Sequence, residues 1–246
     1  MISERMNRVL ALLEKNGWAK GVDDAVRAAA EALEFTGLAV SLSVELTGLE
    51  PVACSGTTAR RFDDLQFTLG EGPASDALRS GAEISVTDIS KERADRWPLL
   101  LREVVGLRVR AVFCFPMAIG AIRIGVLSAT RSSPGRLTGQ HRSDALALAA
   151  SLTTWYLSGT EKDPEGVRDG TDAPEFQGLQ HSVIHQATGM LSVQLNLSLA
   201  DALVRLRAHS YGKNRPILNV AQDIVSRRLR LPPLDGNTSP PAPDKD

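Results

Sequence analysis

The chain has two thiols, Cys54 and Cys114, which are the residues best suited to redox or metal chemistry. They lie sixty residues apart and neither belongs to a Cys-x-x-Cys pair, so they predict neither a disulfide framework nor a zinc or iron–sulfur site. A thiol nucleophile also needs a neighbouring base, and no His or Asp is suggested by spacing. We expect both cysteines to be small buried hydrophobic side chains.

A glycine-rich segment, Gly70-Glu71-Gly72-Pro73, is the second place where chemistry could occur. It lacks the Gly-Lys-Ser/Thr that a phosphate loop requires, so it predicts a junction ahead of a helix. His141 has no second ligand at metal-binding distance in the sequence, and neither a nucleophile elbow nor paired catalytic carboxylates are present. The sequence therefore predicts no enzyme, no metal site and no haem site.

The composition is that of a soluble globular protein with one large or two ordinary domains: 246 residues, 43% hydrophobic and 23% charged. Twenty-eight basic against twenty-nine acidic residues exclude an overall basic field. The longest apolar stretch, Ala111–Ile122, is far shorter than the roughly 18 to 20 residues that a membrane span needs. The first residues carry charges where a signal peptide is apolar, so we expect a cytoplasmic protein without a membrane partner.

Two polar segments divide the chain. Residues 158–174 are acidic and contain Gly and Pro throughout, which is typical of a flexible linker, and the Pro-rich residues 232–246 predict a disordered tail. Between them, residues 175–231 contain seven basic and three acidic residues. The basic excess therefore lies in the last folded segment.

The hydrophobic pattern predicts an α+β domain over residues 21–157, preceded by an amphipathic helix within residues 1–20. Two helices, Ile2–Leu13 and Ala25–Leu33, flank a break at Gly17–Gly21. We expect a hairpin of Leu38–Leu46 with Val52–Ser55, a polar stretch, and a set of later elements: a helix at 74–79, an extended segment at 83–86, a helix at 99–105, strands at 111–117 and 122–130, and a closing helix at 138–157. This order predicts an antiparallel sheet with helices on one side.

Residues 175–231 predict a small all-α unit of three helices. Apolar stripes at helical spacing begin at Phe176, at Ala202 and at Leu218. Pro216 suits the first turn of the third helix, and Ser198 or Asn196 can cap the second. Fewer than sixty residues give a small core, which favours pairing with a second copy.

The last unit resembles the ANTAR domain, a transcription antiterminator module. The resemblance is carried by Gln186-Ala187-Thr188-Gly189-Met190-Leu191, by Ala200–Leu203, and by residues 214–225 with Ala221. The preceding domain resembles a GAF domain of the type fused to ANTAR domains in actinobacterial regulators, through Gly70–Pro73, Asp76-Ala77-Leu78, Asp88, Arg96-Trp97-Pro98, Pro116 and Gly125-Val126-Leu127.

The resemblance implies a regulator, acting as a dimer, whose GAF domain senses a small molecule or partner and whose ANTAR domain binds nascent RNA hairpins to prevent termination. RNA loops are read through phosphates and splayed bases. The candidate RNA contacts are Arg205, Arg207, Lys213 and Arg215, with Tyr211 stacking on a base and His181 adding a conditional charge. The candidate lining of the GAF pocket is Gly70, Glu71, Gly72 and Trp97.

Two departures from the family pattern leave alternatives open. His181 stands where the family commonly has Arg, and Thr188 where it commonly has Lys, so RNA binding should be weakened by the missing charges. The alternative is a dimeric protein-interaction module that no longer binds RNA. A third reading is an enzyme, because some GAF-like domains reduce methionine sulfoxide with cysteines.

Overall fold

The computed structural model describes residues 2–44, 48–161 and 179–232, and for residues 15–21, 159–161 and 179–181 it describes the backbone alone. The chain divides into two compact units, Met1–Ser182 and Val183–Asp246. The described elements, in chain order, are α1 (Glu4–Ala32), β1 (Gly37–Val44), β2 (Gly48–Cys54), α2 (Thr57–Leu69), α3 (Pro73–Ser80), β3 (Ile84–Val86), α4 (Pro98–Glu103), β4 (Ala111–Ile119), β5 (Ile122–Arg131), α5 (Gly139–Glu161), α6 (Leu179–Leu195), α7 (Leu199–Gly212) and α8 (Ile217–Val225).

The first helix, α1, is continuous, so the expectation of two helices separated at Gly17–Gly21 is wrong. Each glycine inside a helix costs only about 1 kcal/mol relative to alanine, because it adds backbone entropy without breaking a hydrogen bond. Buried side chains on both sides of the glycines, Leu13 and Val22 among them, outweigh that cost. The helix begins at Ser3, whose hydroxyl accepts from the Met6 amide at 3.1 Å.

Five antiparallel strands form one sheet in the order β2-β1-β5-β4-β3. The predicted hairpin is confirmed as β1–β2, as are the strands β4 and β5. Gly125 permits the close pairing of β5 with β1, since a Cβ there would lie 2.2 Å from the Ser41 carbonyl oxygen. Alternating side chains of this sheet point to two different faces.

Helices cover both faces of the sheet, so the expectation of helices on one side is wrong. One face packs on α1 and α5 and is apolar; it contributes Leu38, Val40, Phe113, Phe115 and Leu127. The other face packs on α2, α3 and the α4 region and contributes Val112, Cys114 and Val126. The antiparallel sheet with flanking helices, and thus the α+β class, is confirmed.

Helix α2 occupies what the sequence pattern predicts as a polar stretch. Its buried face carries Ala59, Phe62, Asp63, Gln66 and Phe67. Two of these five side chains are polar, which disguises the apolar stripe on which helix prediction depends. At the other end of the unit, α5 continues to Glu161, four residues into the expected linker, while 162–174 and the tail from 233 lie outside the described residues.

The C-terminal unit contains the three predicted helices. Its core includes Ala187, Leu191, Leu203, Leu206 and Ile224, each at most 2% exposed. Ser198 caps α7 by accepting from the Asp201 amide at 3.1 Å, which decides between the two predicted caps. Pro216 lies at the N-cap of α8. None of the described helices of the chain is long and apolar enough to span a membrane.

Candidate nucleic-acid interface

The end of α7 and the turn that follows it hold most of the predicted RNA contacts. The turn is fixed by two bonds between Ser210 and Arg215: the Arg215 amide donates to the Ser210 carbonyl at 3.0 Å, and the Ser210 hydroxyl donates to the Arg215 carbonyl at 2.5 Å. Asn214, between them, takes a left-handed backbone conformation with φ of 49°. The basic side chains after α7 therefore project from a well-defined backbone.

His209 shows that three of the predicted basic residues lie together. Partial burial lowers its pKa, and the positive charges of Lys213, Arg205 and Arg215 lower it further. These three charges lie near one imidazole because His209 is in the last turn of α7 and the turn folds back beside it. Tyr211 is 38% exposed on the same helix. The structure thus gathers a basic surface with one accessible aromatic ring.

Arg205 and Arg207 are less accessible than a solvated helix face would make them. Arg205 donates from Nη2 to the Pro232 carbonyl at 3.3 Å, and its buried Nε has no hydrogen-bond partner among the described residues. Burial lowers the pKa of Arg207 to about 10, which still leaves the guanidinium charged at neutral pH. Both stems pack against the unit, so substitutions here affect stability as well as charge.

Asp223 and Arg228 belong to this surface but were missed by sequence reasoning. The Asp223 carboxylate accepts from Arg215 Nη2 at 2.6 Å and from Arg228 Nε at 3.0 Å. Its pKa is lowered by the Arg215 hydrogen bond first, and then by Arg228. The available signal was the run Arg227-Arg228-Leu229-Arg230 directly after α8, preceded by a single acid.

The residues predicted to line a pocket in the N-terminal unit have structural partners. Gly70 ends α2 in a left-handed conformation, and Glu71 Oε1 accepts from the amides of Leu99 and Leu100 at 2.7 and 2.8 Å, which caps α4. Gly72 leaves no room for a side chain, because a Cβ there would lie 2.5 Å from Gln66 Oε1. The loop therefore joins α2, α3 and α4.

Trp97 is 2% exposed and lies in the same buried cluster as Ala74 and Ala77 of α3. Its indole donates to Asp76 Oδ2 at 3.2 Å, and the Arg96 guanidinium lies 4.1 Å from the ring centroid. A cavity of about 690 Å³ lies beside α4, lined by Leu101, Val105 and Leu107 with Arg102 and other neighbours. None of the four predicted pocket residues lines this cavity.

A buried polar group that sequence reasoning missed lies between α2 and the sheet. Asp63 accepts from the Ser41 hydroxyl at 2.5 Å and from Gln66 Nε2 at 3.3 Å, while Gln66 Oε1 accepts from the Ala74 amide at 2.9 Å. Burial raises the pKa of Asp63 to about 6, against the opposing effect of the Ser41 hydrogen bond. The three side chains join β1, α2 and α3.

Comparison with a family model identifies the C-terminal helices. The model of the ANTAR domain matches residues 179–225, which span α6, α7 and α8. These residues form an ANTAR domain. The basic surface at the end of α7 and the Asp223 carboxylate both lie within the matched residues. No curated protein matches the chain.

Solved structures identify the fold of the N-terminal unit. GAF domains of two phosphoenolpyruvate-protein phosphotransferases, from Acinetobacter and Coxiella burnetii, are each 14% identical to this chain, with TM-scores of 0.52 and 0.51. They cover 64% and 65% of this chain, and 93% and 98% of their own chains are covered. The N-terminal unit therefore has the GAF fold.

A free methionine-R-sulfoxide reductase from Neisseria meningitidis is similar to the same unit, with 14% identity, a TM-score of 0.51, and coverage of 65% of this chain and 90% of that one. Burial raises the pKa of both Cys54 and Cys114 in this chain to about 12, so neither is a thiolate at neutral pH. Cys54 is half-buried and Cys114 buried. Their strands β2 and β4 are separated by β1 and β5, roughly 14 Å at the usual strand spacing, which is too far for a disulfide.

Of the two departures from the ANTAR pattern, the structure describes the side chain of one, Thr188, and only the backbone of the other, His181. Thr188 is 4% exposed, and its hydroxyl donates to the Ile184 carbonyl at 2.7 Å. A lysine side chain at this position would have to leave the core. Because residue 188 does not lie on the exposed face of α6, having Thr here in place of Lys removes no positive charge from that face. The His181 backbone lies in α6, but its side chain lies outside the described residues.

Proposed function

We propose that this protein is a cytoplasmic, signal-responsive regulator that binds hairpins in nascent RNA through its ANTAR domain and prevents transcription termination. The observation that carries the proposal is the basic surface at the end of α7, where Arg205, Lys213 and Arg215 lie close enough to His209 to lower its pKa. Phosphate contacts supply most of the affinity for nucleic acid, and Tyr211 offers a face on which an unpaired base can stack. An ANTAR domain implies RNA as its partner.

In this proposal the GAF-fold unit receives the signal, and the protein acts as a homodimer. The cavity beside α4 is within the usual size range of small-molecule sites, about 300 to 1,000 Å³. Signal and RNA affect each other only if the ligand has different affinities for two arrangements of the protein. Leu101→Trp fills the cavity, so a ligand that raises the unfolding midpoint of the parent chain should fail to do so in this variant.

The test of RNA binding uses the full chain and an RNA with two tandem stem-loops, taken from a pool with randomised loops. Changing Arg205, Arg207, Lys213 and Arg215 to Gln should weaken binding about a hundredfold near 0.1 M salt and flatten the salt dependence. Gln is chosen because it keeps part of each aliphatic stem in place. Fluorescence anisotropy over a salt series measures both effects.

The matched control removes four charges from the GAF-fold unit by changing Arg8, Arg61, Arg108 and Arg136 to Gln. All four side chains are exposed, and the structure shows none of them in an ion pair with a described residue. This variant should bind RNA within about twofold of the parent chain. Equal losses in both variants would mean that only total charge matters, and the proposed surface would be wrong.

A protein-interaction role is the second candidate, favoured by apolar side chains on the outside of the ANTAR domain. Val193 on α6 is 85% exposed and Val204 on α7 is 60% exposed. This role predicts a dimer that does not bind RNA. Light scattering of the parent chain and of a Val193→Lys/Val204→Lys variant, together with the RNA titration, separates the two candidates.

A further inference from the structure

The carboxylate of Asp223, in the last turn of α8, holds two arginines that come from different segments. Arg215 precedes α8 and reaches one oxygen with Nη2 at 2.6 Å, while Arg228 follows α8 and reaches the other with Nε at 3.0 Å. The arginine side chains remain 42% and 69% exposed, against 23% for Asp223. The acid is therefore the inner member of the group and the two guanidinium groups are its outer members.

The backbones that carry both arginines are also fixed. Arg215 is tied to Ser210 by the two bonds of the turn after α7. The amides of Arg228 and Leu229 both donate to the Asp223 carbonyl, at 2.8 and 3.0 Å, and Arg227 takes a left-handed conformation with φ of 59° that turns the chain back. Asp223 thus fixes Arg228 through its main chain and its side chain at once.

Most of the donor capacity of the two arginines remains available. A guanidinium has five N–H donors. Among the described residues, the side-chain hydrogen bonds of Arg215 and Arg228 go to Asp223 alone. The group keeps one net positive charge, and its remaining donors are held in fixed planes, which suits the tetrahedral oxygens of a phosphodiester.

We propose that Asp223 is a positioning residue for RNA binding, which holds Arg215 and Arg228 in the geometry that receives the phosphates of an RNA hairpin. The inference rests on the proposed function and deepens it. Long basic side chains lose rotamer freedom when they bind, and a carboxylate that orders them beforehand removes part of that cost. Asp223 therefore increases affinity for a polyanion although it is itself negative.

The sign of one substitution separates this role from simple repulsion. Asp223→Asn removes a negative charge from a basic surface, so electrostatics alone predicts tighter RNA binding, whereas loss of positioning predicts weaker binding. We expect a loss of about tenfold for the full chain on the tandem stem-loop RNA. Asp201→Asn is the matched control, because it removes the other carboxylate of residues 183–232 without touching either arginine. It should leave affinity unchanged or slightly increased.

The same substitution in an Arg215→Gln/Arg228→Gln chain tests whether Asp223 acts through the arginines. Without these arginines, Asp223→Asn should cause no further loss of RNA affinity. If the substitution instead acted through a general effect on folding, the loss would persist in the chain without the arginines. Unfolding midpoints and circular dichroism of every variant accompany the titrations. An affinity for Asp223→Asn equal to or above that of the parent chain overturns the inference and leaves the proposed function intact. A parent chain that fails to bind the RNA overturns both.

Discussion

In the GAF-fold unit, several basic side chains pair with acidic neighbours, whereas residues 183–232 contain seven basic side chains and two carboxylates. Arg96 meets both Asp76 and Glu92, Arg110 meets Asp88, and Arg142 meets Glu83. In the C-terminal unit Asp223 forms ion pairs with two arginines, Arg215 and Arg228, at once. The first unit uses charge to join its own segments, and the second keeps an excess that a polyanion can neutralise.

Two aspartates show the same contrast. Burial raises the pKa of Asp63 in the GAF-fold unit, while hydrogen bonds from Arg215 and Arg228 lower that of Asp223. Among the described residues, Asp63 has only a hydroxyl and an amide as partners, so its ionised form is poorly compensated in the interior. Asp223 is ionised throughout the neutral range. Changes of pH between about 4 and about 6 should therefore affect the stability of the first unit and leave the arginine pair of the second intact.

The largest effect on stability is expected from Asp63→Asn. The folded-state pKa of about 6 lies above the ordinary carboxyl value of 3.8, so the wild-type unit keeps a proton that the unfolded chain releases. The stability of the unit therefore falls as pH rises from about 4 to about 6. Asn cannot ionise and still bonds to Ser41 and Gln66. At pH 7.5 the variant should be more stable by up to about 3 kcal/mol, since one pKa unit corresponds to about 1.4 kcal/mol.

Urea unfolding followed by tryptophan fluorescence measures this effect, because Trp18, Trp97 and Trp155 all lie in the GAF-fold unit. The difference between the variant and the parent chain should disappear near pH 4. Glu103→Gln, which removes an exposed carboxylate from the same unit, controls for a general change in charge. A difference that is the same at pH 4 and pH 7.5 would exclude titration of Asp63 as the cause.

The second prediction places a new positive charge in the ANTAR domain. Thr188→Lys loses the bond to the Ile184 carbonyl and forces a long cation out of the core, so it should destabilise the C-terminal unit by about 2 kcal/mol without increasing RNA affinity. Gln186→Lys adds the same charge on the exposed side of α6 and should leave stability within about 0.5 kcal/mol. Amide hydrogen exchange in α7 and α8 reports on this unit alone. Tighter RNA binding by the Thr188 variant would show that the position faces the ligand.

The fold was largely predictable where apolar side chains repeat with a regular period. β4, β5 and the three C-terminal helices were found from that period alone. Prediction failed at α2, because Asp63 and Gln66 replace apolar residues on its inner face. It failed at Gly17–Gly21, because the free-energy cost of glycine in a helix is smaller than the stabilisation from side chains buried on either side. Both errors concern the competition between local pattern and tertiary contact.

The candidate site was predictable in its residue types and less so in its geometry. Spacing placed Lys213 and Arg215 after the second helix, and the charges around His209 do lie together. Spacing could not show that Glu71 caps α4 or that Trp97 fills the core, because both depend on partners more than twenty residues away. Nor could it pair Asp223 with Arg215 and Arg228, which meet only when α8 folds beside the end of α7.

The smallest effect is expected at a paired charge of the GAF-fold unit. Arg142 Nε donates to Glu83 Oε2 at 2.7 Å and ties the first turn of α5 to the segment before β3, but the Arg142 side chain is 56% exposed. Pairs of this kind contribute little because solvent screens them and two long side chains must be ordered. Arg142→Gln should lower stability by about 0.5 kcal/mol or less and leave RNA affinity unchanged.

A double-mutant cycle with Glu83→Gln, read by tryptophan fluorescence, isolates the coupling between the two side chains. A coupling well above 1 kcal/mol would mean that this pair is a principal link between α5 and the sheet. A fall in RNA affinity on Arg142→Gln would mean that a paired arginine of the GAF-fold unit takes part in RNA binding. That result would overturn the claim that only the C-terminal unit provides charge for the polyanion. Since the four-arginine control variant leaves Arg142 in place, this substitution tests a part of the contrast that the control does not reach.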